Sequence, residues 1–298
     1  MPLELHSIDQ FDFHQAPVYG VAAANNHLYS VGGDRQVFHY WKEADQYMAE
    51  RIALLNHAGY CCHVHEKWIF AGDAQGYLYR FHFDDKESVK VMKAHDGGIF
   101  KLTSDAEQLY SIGQDGKLNL WSFDPLEMKR TLWLSAEKLR DLCWNDSMNQ
   151  LAVVGQDGIL RVLELPMLNE IFTSLPMKDG LTSIAYWPDK KTWVSGNKQG
   201  QVQFWKQEQS SPIFDFQAHK GNIYGLSVDT ENQLIWTSSL DKSIKAWEMT
   251  SLALAGKWDN LNQSPLRSVN QILMVNPNIF ISAGDNKKID VTKICFFK

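Results

Sequence analysis

An all-β fold of seven near-equal units is predicted by three observations. A turn residue recurs at Asp34, Gln75, Asp115, Asp157, Gln199, Asp241 and Asn286, at intervals of 40 to 45 positions. Three residues beyond each turn residue stands an apolar one: Val37, Leu78, Leu118, Leu160, Val202, Ile244 and Ile289. Between the turns, apolar and polar residues alternate in short runs, and no stretch of useful length has helical periodicity. A fixed period in this range marks a repeat architecture whose unit cannot fold alone.

The segment from Asp96 to Trp133 shows the unit most clearly. Ile99 to Leu102, Gln108 to Ile112, Lys117 to Phe123 and Met128 to Trp133 read as four short strands, with polar or Gly-rich turns between them, as antiparallel pairing requires. A four-stranded sheet has two apolar faces and cannot bury them itself. Stacking such sheets around an axis buries both and leaves only short edges. Seven units therefore predict a seven-bladed β-propeller of four-stranded antiparallel blades, one domain over residues 1–298. The last unit has a third strand near Lys287 to Lys293 and then runs out of chain, whereas Leu3 to Phe13 precedes the first full unit. The N-terminal strand is expected to complete the last blade and close the ring.

Lys plus Arg is 29 and Asp plus Glu is 35, a formal net charge of −6, with no block of like charge. Nucleic acid is not expected as a partner of so acidic a chain. No run is apolar for long enough to span a bilayer as a helix, and the first residues lack a basic segment before an apolar one, so neither membrane nor secretory signal is expected. Cys61, Cys62, Cys143 and Cys295 sit in or beside apolar runs, which suits packed thiols in a reducing, intracellular and cytoplasmic setting.

The third unit carries Ala94-His95, then Ser111-Ile112-Gly113-Gln114-Asp115-Gly116-Lys117, then Leu120-Trp121; the sixth carries Ala218-His219, Thr237-Ser238-Ser239-Leu240-Asp241 and Ala246-Trp247. These motifs resemble the WD-repeat (tryptophan–aspartate repeat) family, strongly in those two units and weakly in the second, fifth and seventh. The resemblance implies a hydrogen-bonded set in each good blade: His95, Ser111, Asp115 and Trp121; His219, Thr237, Asp241 and Trp247; and His14, Ser30 and Asp34 with Tyr40 in place of the indole. The fourth and seventh units have Ser135 and Asn262 at the His position. Ser, His and Asp in contact suggest a hydrolase triad superficially. A set repeated from blade to blade, its hydroxyl buried against an indole, is expected to be structural, because a nucleophile needs exposure and an oxyanion hole.

Counting from the His position gives two apolar columns: Val18, Cys61, Ile99, Leu139, Leu181, Ile223, Leu266, and Val21, Val64, Leu102, Leu142, Ile184, Leu226, Val269. Between them lie Tyr19, Cys62, Phe100, Arg140, Thr182, Tyr224 and Arg267, five of them aromatic or Arg, the types that anchor interfaces. The resemblance places this column on the wider-loop face beside the channel. It adds the position two earlier and the residue before the turn, giving Tyr60, Lys138, Asn222, Lys198, Gln156, Gln114, Leu240 and Asp285. The expected partner site is therefore Tyr19, Tyr60, Phe100, Lys138, Arg140, Lys198, Asn222, Tyr224, Leu240 and Arg267.

On this reading the protein is a non-catalytic interaction scaffold, a monomeric ring within a larger complex. It would bind a protein or peptide, acidic or phosphorylated, with Lys138, Arg140, Lys198 and Arg267 facing the one acid Asp285. The alternative is an enzyme or small-ligand binder using the central channel, for which several blades would have to supply acids, bases or ligands. A lesser one is an aromatic cage for a modified lysine. His63 and His65 share a strand face with Cys61, but no nearby carboxylate completes a metal site, and no metal or cofactor is expected. Tyr186-Trp187-Pro188-Asp189-Lys190 reads as an exposed turn on the narrow side.

Overall fold

The computed structural model describes residues 3–44, 46–85, 88–261, 264–265 and 267–296. Strands pair in sequence order into antiparallel four-stranded blades spanning 18–54, 59–93, 99–133, 139–173, 181–217 and 223–258, blades 1 to 6. Blade 7 joins Val269–Asn276, Ile279–Gly284 and Ile289–Phe296 with the N-terminal strand Leu3–Phe11. That strand pairs from Leu3 with Phe296 to Phe11 with Ile289, so both ends of the chain share one ladder. Phe11 is buried among Val18, Phe38 and Tyr40 of blade 1, which fastens the clasp to the next blade as well.

The buried residues explain why no blade stands alone. Seven apolar clusters occupy the seven interfaces between neighbouring blades: Tyr110, Ile112 and Leu118 of blade 3 meet Leu139, Leu142 and Leu151 of blade 4, for example, and the other interfaces repeat the scheme. All seven residues of the column three beyond the turn are 0% exposed. The innermost strands are also sewn together. Gln271 of blade 7 accepts from Val21 N at 2.8 Å and donates to Val21 O at 3.0 Å, across the seam where the ring closes. The turns need special backbone: Gly116 has φ +72, and a Cβ there would lie 1.9 Å from Ser135 O.

Two details differ from expectation. Tyr186 and Trp187 end a strand, Leu181–Trp187, and only Pro188–Lys190 forms the 3₁₀ turn. Trp187 is buried in the cluster with Val194 and Phe204, because the indole is too large an apolar surface to leave at a turn when the neighbouring blade offers a cover. In the last blade the third strand begins at Ile289 rather than Lys287, after a turn in which Lys287 has φ +67.

A candidate binding site at the mouth of the central channel

Every innermost strand carries a β-bulge one residue after it begins. Pairing jumps from Val18 to Gly20, Gly59 to Cys61, Ile99 to Lys101, Leu139 to Asp141, Leu181 to Ser183, Ile223 to Gly225 and Val269 to Gln271. The unpaired residue at each bulge is re-aimed. Those residues are Tyr19, Tyr60, Phe100, Arg140, Thr182, Tyr224 and Asn270, and all seven line one central cavity of about 530 Å³. Two members of the sequence-derived column are therefore corrected: Tyr60 stands where Cys62 was expected, and Asn270 where Arg267 was. The count ran two residues long in blade 2 and three short in blade 7. The flanking columns shift with it, to Gly59 and Cys62 in blade 2 and to Val269 and Ile272 in blade 7; Leu266 and Asn262 lie outside the described residues.

Blades 1 to 4 build a continuous strip. The Tyr19 and Tyr60 rings meet edge to face at 5.5 Å, Tyr60 stacks on Phe100 at 5.9 Å, and the Arg140 guanidinium lies 4.5 Å over the Phe100 ring. Arg140 makes no hydrogen bond or ion pair among the described residues. Burial lowers its pKa, though an arginine keeps its charge at any working pH. The phenol of Tyr19 stays protonated, its pKa raised by burial first and then by Asp285, Tyr60 and Tyr224 around it.

Below the strip, Lys101 Nζ pairs with Asp141 Oδ1 at 3.2 Å, and Asp141 raises the lysine's pKa. Asp141 also accepts from the amides of Leu142 and Ile184, so this carboxylate ties three blades together. The opposite sector is polar. Thr182 donates to Gly196 O and Ile223 O, and Asn270 donates to Val18 O and, at 3.0 Å, to Asp285 Oδ1.

Of the ten residues expected to form the partner site, Tyr19, Tyr60, Phe100, Lys138, Arg140, Tyr224 and Leu240 line the cavity, with Gln114 and Asp285. Lys198 is exposed and lies off its wall, and Asn222 is half-buried outside it. Arg267 is exposed beside a separate crevice of blade 7 with Ser268, Asn286 and Asp290. Sequence reasoning missed Lys101, Asp141, Ser268, Asn270 and Gln271. Counting back from the turn residue would have found Tyr60, which stands fifteen positions before Gln75 as Tyr19 does before Asp34 and Phe100 before Asp115.

The three structural sets are assembled. His14 Nδ1 lies 3.0 Å from Asp34 and its Nε2 2.8 Å from Ser30 Oγ, which is 3.1 Å from Tyr40 Oη. His95 meets Asp115 at 2.9 Å and Ser111 at 2.8 Å, with the Trp121 indole donating to Ser111 at 3.0 Å. His219 meets Asp241 at 3.0 Å and Thr237 at 2.8 Å, and Trp247 donates to Thr237 at 3.0 Å. Burial lowers the pKa of His14, and that of His219 to about 4, against the pull of their aspartates, so both rings are neutral. Each imidazole then donates to its carboxylate and accepts from its hydroxyl. Burial opposes it, but hydrogen bonds from His95 and the Asp96 amide bring Asp115 down to about 2. Ser30, Ser111 and Thr237 are each 0% exposed, beyond the reach of a substrate.

His63 and His65 both reach Ser104 Oγ, at 2.8 and 3.2 Å, and among the described residues no group of three or more ligand-type side chains could hold a metal ion. No helix among them is long and apolar enough to cross a membrane.

A closed ring of seven sheets around a central cavity that all seven innermost strands line defines a propeller. Residues 210–248, which hold the last strand of blade 5 and the first three strands of blade 6, match the family model "WD domain, G-beta repeat". The chain is 23% identical to human WD repeat-containing protein 90 over 58% of its own length and 10% of that protein. It is 26% identical to Xenopus tropicalis WD repeat-containing protein 1 over 60% of its length and 31% of that protein, and 26% identical to mouse apoptotic protease-activating factor 1 over 36% and 8%. The chain thus spans a minor part of each of these relatives. The crystal structure of the WD40 β-propeller domain of Doa1 superposes with a TM-score of 0.85 at 13% identity, covering 97% of both chains. The chain is thus a seven-bladed β-propeller in fold, and it is similar to WD-repeat proteins through the repeat match at residues 210–248 and the relatives above. Such propellers are generally protein-interaction scaffolds without catalysis of their own.

Proposed function

We propose that this chain is a non-catalytic interaction module that seats a peptide segment of a protein partner in the mouth of its central cavity. The observation that carries the reading is the strip Tyr19–Tyr60–Phe100–Arg140, ending on a guanidinium without a carboxylate partner. Two phenols, a phenyl ring and a half-buried cation facing open volume supply what a hot spot needs: large area, little rotamer entropy to lose, and directional donors. An acidic group of the partner, carboxylate or phosphate, is the complement to Arg140 and Lys138. Free thiols at Cys61, Cys62, Cys143 and Cys295 suit an intracellular ring, held as one copy within a larger assembly.

The test is affinity capture with wild type, Arg140→Glu, Phe100→Ala and Arg267→Glu, partners being identified by mass spectrometry. Arg140→Glu and Phe100→Ala should lose the same partner while their melting temperatures stay within about 3 °C of wild type, since a cation–π contact contributes only about 1 kcal/mol. Arg267→Glu should retain it. Equal capture by all four sinks the reading. A second reading, a small ligand in the channel, has the cavity volume of about 530 Å³ in its favour. Its acid and base would be Asp141 and Lys101, whose charges already satisfy each other. Native mass spectrometry of the purified chain decides: a retained small molecule favours this second reading.

A further inference from the structure

The charges around the mouth are not of one sign. Lys101 is neutralised by Asp141, and Lys198 and Arg267 lie off the wall, which leaves Arg140 and Lys138 on the blade 4 side. On the blade 7 side stands Asp285, held by Asn270 through Oδ1, while its Oδ2 accepts no hydrogen bond among the described residues. Between these ends runs the aromatic strip, through contacts of 5.5, 5.9 and 4.5 Å.

We propose that the partner segment is bipolar, setting a basic group against Asp285 and an acidic group against Arg140, with an apolar or aromatic side chain on the Tyr60–Phe100 strip between them. This inference rests on the peptide-binding reading above and deepens it. A wholly acidic segment would bring like charge to Asp285 in a partly desolvated mouth, where repulsion is weakly screened. A cage for a lone cation is disfavoured by the same geometry: Phe100 already stacks on Tyr60 and carries the Arg140 guanidinium over its ring. From Tyr19 to Arg140 the strip spans no more than about five residues of extended chain at about 3.3 Å each, with Asp285 acting on Tyr19 at its far end, so a heptapeptide is the length to test.

A displayed library of random heptapeptides, selected in parallel on the full chain and on four variants, tests the proposal. Wild type should enrich peptides with one base and one acid at a recurring spacing, in one fixed order. The double variant Asp285→Lys/Arg140→Glu should enrich the opposite order. Synthetic winners should lose roughly tenfold to a hundredfold in affinity on either Asp285→Ala or Arg140→Ala, the range of one charge-assisted hydrogen bond. Enrichment of acidic peptides alone, indifferent to Asp285→Ala, overturns the bipolar inference while leaving the peptide site standing. Retention of no peptide by wild type beyond that of Tyr60→Ala/Phe100→Ala overturns both.

Discussion

Acidification should destabilise this ring well before its carboxylates titrate, and the structure sets the size of the effect. Three histidines are held neutral, the buried His14 and His219 and the half-buried His63, with desolvation lowering His63 and His219 to about 4. Their unfolded value is near 6.5, so the folded state binds fewer protons. The stabilisation is complete above pH 6.5 and is lost as pH falls from there toward 4. Between pH 7 and pH 5, His63 and His219 each forfeit about 2 kcal/mol, roughly 4 kcal/mol together. At about 0.6 kcal/mol per degree for a chain of this size, the melting temperature should drop by roughly 6 °C over those two pH units. A second loss follows below pH 4, where Asp34, Asp115 and Asp241, all held below the ordinary carboxylate range, take up protons. The assay is thermal unfolding in matched ionic strength at half-unit steps from pH 8 to 4. His63→Leu removes one of the three titrating groups and should lower the slope between pH 6.5 and 5 by about a third to a half, whatever it does to absolute stability. A melting temperature flat to within about 2 °C between pH 7 and 5 would refute the reasoning, since it would mean that these rings charge in place.

Two further outcomes test the frame. Deleting residues 1–11 removes the ladder from Leu3 to Phe11 and uncovers the pocket of Phe11, which is 5% exposed; the loss should exceed about 4 kcal/mol by denaturant titration, and an unchanged midpoint would sink the clasp. Ser111→Val leaves the Trp121 indole without its acceptor inside blade 3 and His95 Nε2 with Asn119 Nδ2 alone, at 3.2 Å, and should cost about 1–3 kcal/mol, whereas Ser111→Thr, which keeps the hydroxyl as Thr237 does in blade 6, should cost less; equal losses would show the set to be packing rather than hydrogen bonding.

The fold was legible because each unit states it again. An apolar residue three places after a turn is weak evidence once; seven times at a fixed period it marks positions that prove 0% exposed. The polar sets were equally readable, since His, hydroxyl and Asp must keep their places along the strands for the bonds to close. Side-chain placement at the mouth was less so, for a reason of chain length. Blades 4 and 5 insert the 3₁₀ turns Asp146–Met148 and Pro188–Lys190 between their first two strands. Blades 1 to 3 connect them more tightly. No single count from one landmark therefore holds around the ring.

The bulge itself leaves no local composition: Tyr, Phe, Arg, Thr and Asn all occupy it, because its geometry asks only for one unpaired backbone unit. Distance from the axis is harder still. Lys198 and Leu240 both precede a turn residue, yet only Leu240 reaches the cavity wall. Both amides bond alike beside the first strand, Leu240 N to Asn222 O and Lys198 N to Gly180 O, but behind Leu240 the turn residue Asp241 bonds His219. Blade 5 offers no such histidine, having Met177 near that place, and Lys198 stays in water where its charge is cheapest. The face read from sequence as basic is thus sorted by tertiary contacts into a cationic end and an acidic end. The proposed partner segment, to match such a face, would carry both signs.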